Sequence, residues 1–88
     1  MDKTEIEGKL RSFIEQTFPR EGAPLQNSTD LLEDWFVDSF GIIETVMFLE
    51  QAFAVSVGRA DVQAVNFKSI DALTALVLER TATQDATR

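Results

Sequence analysis

The chain has 88 residues, 44% of them hydrophobic, with fifteen acidic against eight basic residues and a net charge of -7. That describes one small globular domain with a modest core and no room for a second. It contains neither cysteine nor histidine, which excludes disulfides, zinc–thiolate sites, a cysteine nucleophile and a histidine general base.

The first predicted element is a helix over about Thr4 to Thr17. Thr4 and Glu7 form a capping box, in which each side chain satisfies a backbone N–H of the first turn. Ile6, Leu10, Phe13, Ile14 and Phe18 follow at helical spacing, with Lys9, Arg11 and Glu15 off that stripe. Pro19 stops the helix at about Phe18, because proline disfavours helical geometry in the residue before it.

Residues 19 to 38 read as a long connection. The run PREGAPLQNSTD holds both prolines, a glycine and several cap-type residues. Leu25, Leu31, Leu32, Trp35 and Phe36 are too apolar for a loose linker, so some of them are expected to fold back onto the core. A connection of that length in so small a domain is usually functional or tightly packed.

The second helix is expected to start at Asp38 or Ser39. Ile42, Val46, Leu49 and Phe53, spaced 4, 3 and 4, form its inward stripe. Phe40, Ile43 and Met47 give it a second apolar face. Such surplus fits either a central helix touched on most sides or an exposed strip suited to partner docking. The alternating AVSVG is read as an extended loop anchored by Val55 or Val57, since one isolated strand has no partner. Residues 59–65, RADVQAV, allow one or two helical turns, and NFKS then breaks the chain. Ser69 caps a last helix with Ile70, Leu73, Leu76 and Val77 on its apolar face, ending near Arg80. TATQDATR reads as a frayed polar tail. The expected fold is all-α: a small four-helix bundle of three main helices and one short one, with a long first loop. Residues 1–80 form its single domain, and residues 81–88 a disordered tail.

Charge is distributed unevenly. Between Glu21 and Gly58 there is no lysine or arginine but seven acidic residues, and the other eight acids are matched by the eight basic residues. The whole net charge therefore surrounds Val37-Asp38-Ser39-Phe40. Such a surface repels nucleic acid and anionic lipid and attracts basic proteins, although it also serves plain solubility. No apolar run is long enough to span a membrane, and MDKTEIEGKL lacks the apolar core of a signal peptide. A monomer in the cytoplasm, with no nucleic-acid or membrane partner, is expected.

Asp38 is explained by capping alone, since an N-cap aspartate accepts a first-turn N–H. Ser39 has no histidine to activate it as a nucleophile, and Lys68 is far away in sequence, so catalysis is excluded in practice. Asp30, Glu33 and Asp34 lack the alternate spacing and central glycine of a calcium loop, and no metal site is expected. What remains for Ser39 is modification: a serine at a helix start is exposed, and the helix dipole favours a negative group there.

LLEDWFVDSFGIIETVMFLEQAF resembles the central motif of acyl carrier proteins, and the likeness runs from about residue 4 to 80. It includes the long first loop, the AVSV anchor and NFKSIDAL at the start of the last helix. The resemblance implies that Ser39 carries 4′-phosphopantetheine, with Asp38 before it. It implies that Phe40, Ile43, Glu44, Met47 and Glu50 face partner enzymes bearing basic patches. It also implies that Leu31, Val46, Leu49 and Phe53 surround a bound chain. The partners would be a phosphopantetheinyl transferase and acyl-loading and acyl-processing enzymes of fatty-acid, polyketide or related biosynthesis, and the chain itself would not be an enzyme. The missing cysteine fits, since the arm would bring the thiol. Phe36 stands where the family usually has glycine, with Trp35 beside it, and Gly41, Gln51 and Arg59 stand at commonly acidic positions. These departures suggest a specialised, free-standing carrier. An aminoacyl or peptidyl carrier of nonribosomal assembly is the rival within the carriers, and an unmodified acidic interaction module the rival outside them.

Overall fold

Helical periodicity is realised in five α-helices and one 3₁₀ turn among the described residues, with no strand. The helices are α1 (Lys3–Thr17), α2 (Leu31–Asp34), α3 (Ser39–Phe53), α4 (Ala64–Phe67) and α5 (Ile70–Ala86), and the 3₁₀ turn is Arg59–Asp61. The computed structural model describes residues 2–18, 24–34 and 39–86, with Asp34, Ser39 and residues 82–86 described by their backbone alone. The small helical bundle expected from the sequence is the fold observed, with one helical turn, α2, added inside the long first connection.

α1 starts earlier than its apolar pattern suggests. Asp2, not Thr4, is the N-cap, and its Oδ1 accepts the Glu5 N–H at 2.9 Å. The spacing from Asp2 to Glu5 repeats that from Thr4 to Glu7, and a carboxylate is the better partner for the positive end of a helix. The C-terminal boundary is as expected: the Phe18 N–H closes the last turn on the Ile14 carbonyl at 2.9 Å. Ile6, Leu10 and Ile14 are buried.

The first connection is pinned from both sides. Arg11 donates to the Leu25 carbonyl and, at 2.6 Å, to Asn27 Oδ1. Opposite, the Leu31 N–H donates to the Lys68 carbonyl at 2.7 Å, and the Asp71 N–H to the Asn27 carbonyl at 3.0 Å. Asp30 caps α2 by accepting the Leu32 and Glu33 N–H groups, both at 3.1 Å. Leu25 and Leu31 are buried, so the connection folds onto the core as its apolar content requires.

Within NFKS, where the break is expected, Asn66 and Phe67 are helical and the break falls at Lys68 and Ser69. Asn66 stays helical because its side chain reaches back, Nδ2 donating to the Asp61 carbonyl at 2.8 Å, and the following Phe67 is buried. Ser69 caps α5 as predicted, its Oγ accepting the Ala72 N–H at 3.0 Å. α5 passes Arg80 and runs to Ala86. Residues 81–86 hold neither proline nor glycine, and Thr81 ties its hydroxyl to the Val77 and Leu78 carbonyls, both at 3.0 Å.

α5 is the hub, packing against α1, α3 and α4. Its Ile70, Leu73, Leu76 and Val77 meet Ile6, Leu10 and Ile14 of α1 and Leu49 and Phe53 of α3 in one core with Phe67 and Val55. α1 and α3 are joined by a run of rings. Phe13 stacks on Phe48 at 4.2 Å and 12°, with Phe18 and Phe53 edge-on at either end. Each such pair adds about 0.5–1.5 kcal/mol beyond the area it buries.

Candidate functional site

The site is built on α3. Ser39 is its first residue, where backbone N–H groups lack intrahelical partners and the helix dipole is positive. Asp38, Trp35 and Phe36 lie outside the described residues.

The inner face of α3 is Gly41, Thr45, Leu49 and Phe53, every fourth residue, all buried. Leu49 and Phe53 are where the expected stripe put them, whereas Ile42 and Val46 sit half-buried on its flank. Thr45 was missed because it is polar. Its Oγ1 donates to the Gly41 carbonyl at 2.8 Å, which lets it lie fully buried in the core.

The opposite face is apolar and open. Phe40, Ile43 and Met47 are 58%, 55% and 54% exposed, so α3 is not a helix covered on all sides. Glu44 is half-buried and Glu50 exposed. With spacings of three and four, Phe40, Ile43, Glu44, Met47 and Glu50 share one side of the helix. Sequence reasoning named these five, and the fold brings them together. From Ser39 to Glu50 the strip is roughly 16 Å long at the rise of an α-helix.

One bond on this strip was not foreseen. Glu50 Oε2 accepts the Val57 N–H at 3.0 Å, seven residues along the chain. Between them Ala54 takes a positive φ of 53° and Val55 is buried.

A groove of about 800 Å³ opens between α1 and α3, lined by Gly8, Ser12 and Phe13 of the first and Phe48 and Ala52 of the second. Phe48 lies nine residues from Ser39, half a turn around the helix at about 100° per residue. No helix among the described residues is long and apolar enough to cross a membrane.

No family model matches the chain. It is 36% identical to the probable acyl carrier protein PigG of Serratia sp. over 73 residues, 82% of this chain and 84% of that protein. The chain belongs to the acyl carrier protein family. Acyl carrier proteins are carriers rather than enzymes, and they generally bear a phosphopantetheine arm. In this carrier, Gly41 occupies a position that the resemblance makes commonly acidic; it lies buried, on the core side of α3.

Proposed function

We propose that Ser39 is the attachment point of a 4′-phosphopantetheine arm, and that this chain carries acyl intermediates on it as thioesters. It would present them to cytoplasmic enzymes of fatty-acid, polyketide or related biosynthesis. The observation that carries this reading is the position of Ser39 at the first turn of α3, whose outer face is, among the described residues, both apolar and acidic. A phosphodiester there is favoured by the positive end of the α3 dipole. When bound, the arm supplies the thiol that this cysteine-free chain lacks. The likeness to a probable acyl carrier protein favours acyl over aminoacyl cargo.

The chain's own part is to offer and to address. Ser39 Oγ takes the phosphopantetheinyl group of coenzyme A on a transferase: an Oγ–P bond forms, the pyrophosphate P–O bond breaks, adenosine 3′,5′-bisphosphate leaves, and the serine proton passes to the transferase. Phe40, Ile43 and Met47 supply apolar contact, while Glu44 and Glu50 meet basic partner side chains. Residues 1–80 form the carrier domain.

The test is intact-mass measurement after incubation with coenzyme A, magnesium and a promiscuous phosphopantetheinyl transferase. One arm-sized addition is expected in the wild type and none in Ser39→Ala. An unmodified wild type, or a variant that is still modified, would overturn the assignment.

A further inference from the structure

Two consecutive amides in the connection after α3 are each held by a carboxylate. The Val57 N–H donates to Glu50 Oε2 at 3.0 Å, and the Gly58 N–H to Asp61 Oδ2 at 3.0 Å. Asp61 Oδ1 in turn receives Arg80 Nη2 at 2.9 Å. These bonds join α3, the connection, the 3₁₀ turn and α5 in sequence. The connection is further fixed by burial of Val55 and by Ala54, whose φ of 53° is a conformation that a non-glycine residue adopts only when its surroundings impose it.

We propose that Glu50 is a pre-positioned docking acid: the Val57 amide holds one carboxylate oxygen so that the other is presented to a cationic partner group, and docking there stiffens the connection after α3. A carboxylate has about four acceptor positions, of which the amide uses one. Glu50 is exposed, and Oε1 has no partner among the described residues. A guanidinium or ammonium on Oε1 selects the rotamer that Val57 already selects. By linkage, each bond then strengthens the other. Less side-chain freedom is lost on docking than for an acid that must first be ordered. Glu44 has no comparable bond among the described residues. The acids of α3 are therefore unequal: Glu50 alone ties the docking face to Val57, and through Gly58 and Asp61 to Arg80 of α5.

This inference rests on α3's outer face being the docking surface, but its test needs no modified Ser39. Amide hydrogen exchange is measured by NMR on the unmodified full chain at low ionic strength, with and without tetra-arginine peptide. Without peptide, Val57 exchange is expected to be at least about fivefold faster in Glu50→Ala than in wild type. It should be nearly unchanged in Glu50→Gln, whose amide oxygen still accepts. With peptide, Val57 exchange should slow in wild type and not respond in Glu50→Gln, which keeps the bond without the charge. Val57 exchange that is faster or unchanged on peptide binding would overturn the proposal. So would unaltered exchange in Glu50→Ala, or failure of the peptide to perturb the α3 resonances. Failure of coenzyme A loading at Ser39 leaves every one of these readings intact, so the two hypotheses fail separately.

Discussion

α5 and α3 are long helices that spend their apolar side chains differently. In α5, Ile70, Leu73, Leu76 and Val77 all enter the core, on a helix that packs against three others. In α3, Leu49 and Phe53 do so, while Phe40, Ile43 and Met47 stay more than half exposed. The charges differ as well. Arg80 of α5 is bonded to Asp61, whereas the span containing α3 has acids and no base. Exposed apolar area forgoes about 25 cal/mol per Å² of burial. In a small domain of marginal stability, the exposed apolar area on α3 is what the docking proposed above would cover. α5 and α3 thus differ in where their apolar residues point rather than in how many they have.

The sharpest way to break that comparison is within α3 itself, at two residues two apart. Leu49→Ala should destabilise the chain by about 2–5 kcal/mol in urea unfolding, since Leu49 is fully buried. Met47→Ala should shift stability by no more than about 0.5 kcal/mol and instead slow arm transfer to Ser39. Equal losses of stability would mean that α3 has no working face.

A smaller effect is expected where α5 holds the 3₁₀ turn. Asp61 bonds both Arg80 and the Gly58 N–H, and the side chains of the Arg80–Asp61 pair are 29% and 14% exposed. That is more sheltered than the surface pairs whose value is close to zero. Asp61→Ala should cost about 1 kcal/mol in urea unfolding, because it removes the part-buried bond to Arg80 together with the exposed one to the Gly58 N–H. A cost within error would reduce the tie between α5 and the connection to a surface pair.

Much of this was legible in the sequence, for reasons that can be named. Ile6, Leu10 and Ile14 repeat at helical spacing, so α1 and its buried face could be read directly. Ser69 signalled its cap because a hydroxyl before an apolar run has few other uses. Five residues of α3 lie on its open side because spacings of three and four admit no other arrangement. What could not be read depends on bonds between distant residues. Arg11 looked like a solvent-facing charge, yet it clamps a connection fourteen and sixteen residues away. Thr45 is hidden from any apolar pattern, and its burial rests on a carbonyl one turn back. The docking role expected of Glu50 came from the family resemblance, and nothing in its neighbourhood announced Val57 as its partner. α2 is a single turn, shorter than any periodicity can define.

The smallest predicted effect concerns the end of α3, where the two regions meet. Ala54 holds a left-handed φ of 53° directly after the last helical residue, a position that glycine commonly fills. The left-handed conformation costs a non-glycine residue about 1–2 kcal/mol. Glycine would remove that cost but lose about 0.5–1 kcal/mol through the greater freedom of the unfolded chain. The net expectation for Ala54→Gly is a gain of about 0.5 kcal/mol, or about 2–4 °C in Tm for a domain of this size. Because Glu50 and Val57 flank this residue, relief of strain should leave Val57 as protected as before. A stabilised variant with unprotected Val57 would show that the strain itself, rather than the carboxylate, keeps the connection closed against α3.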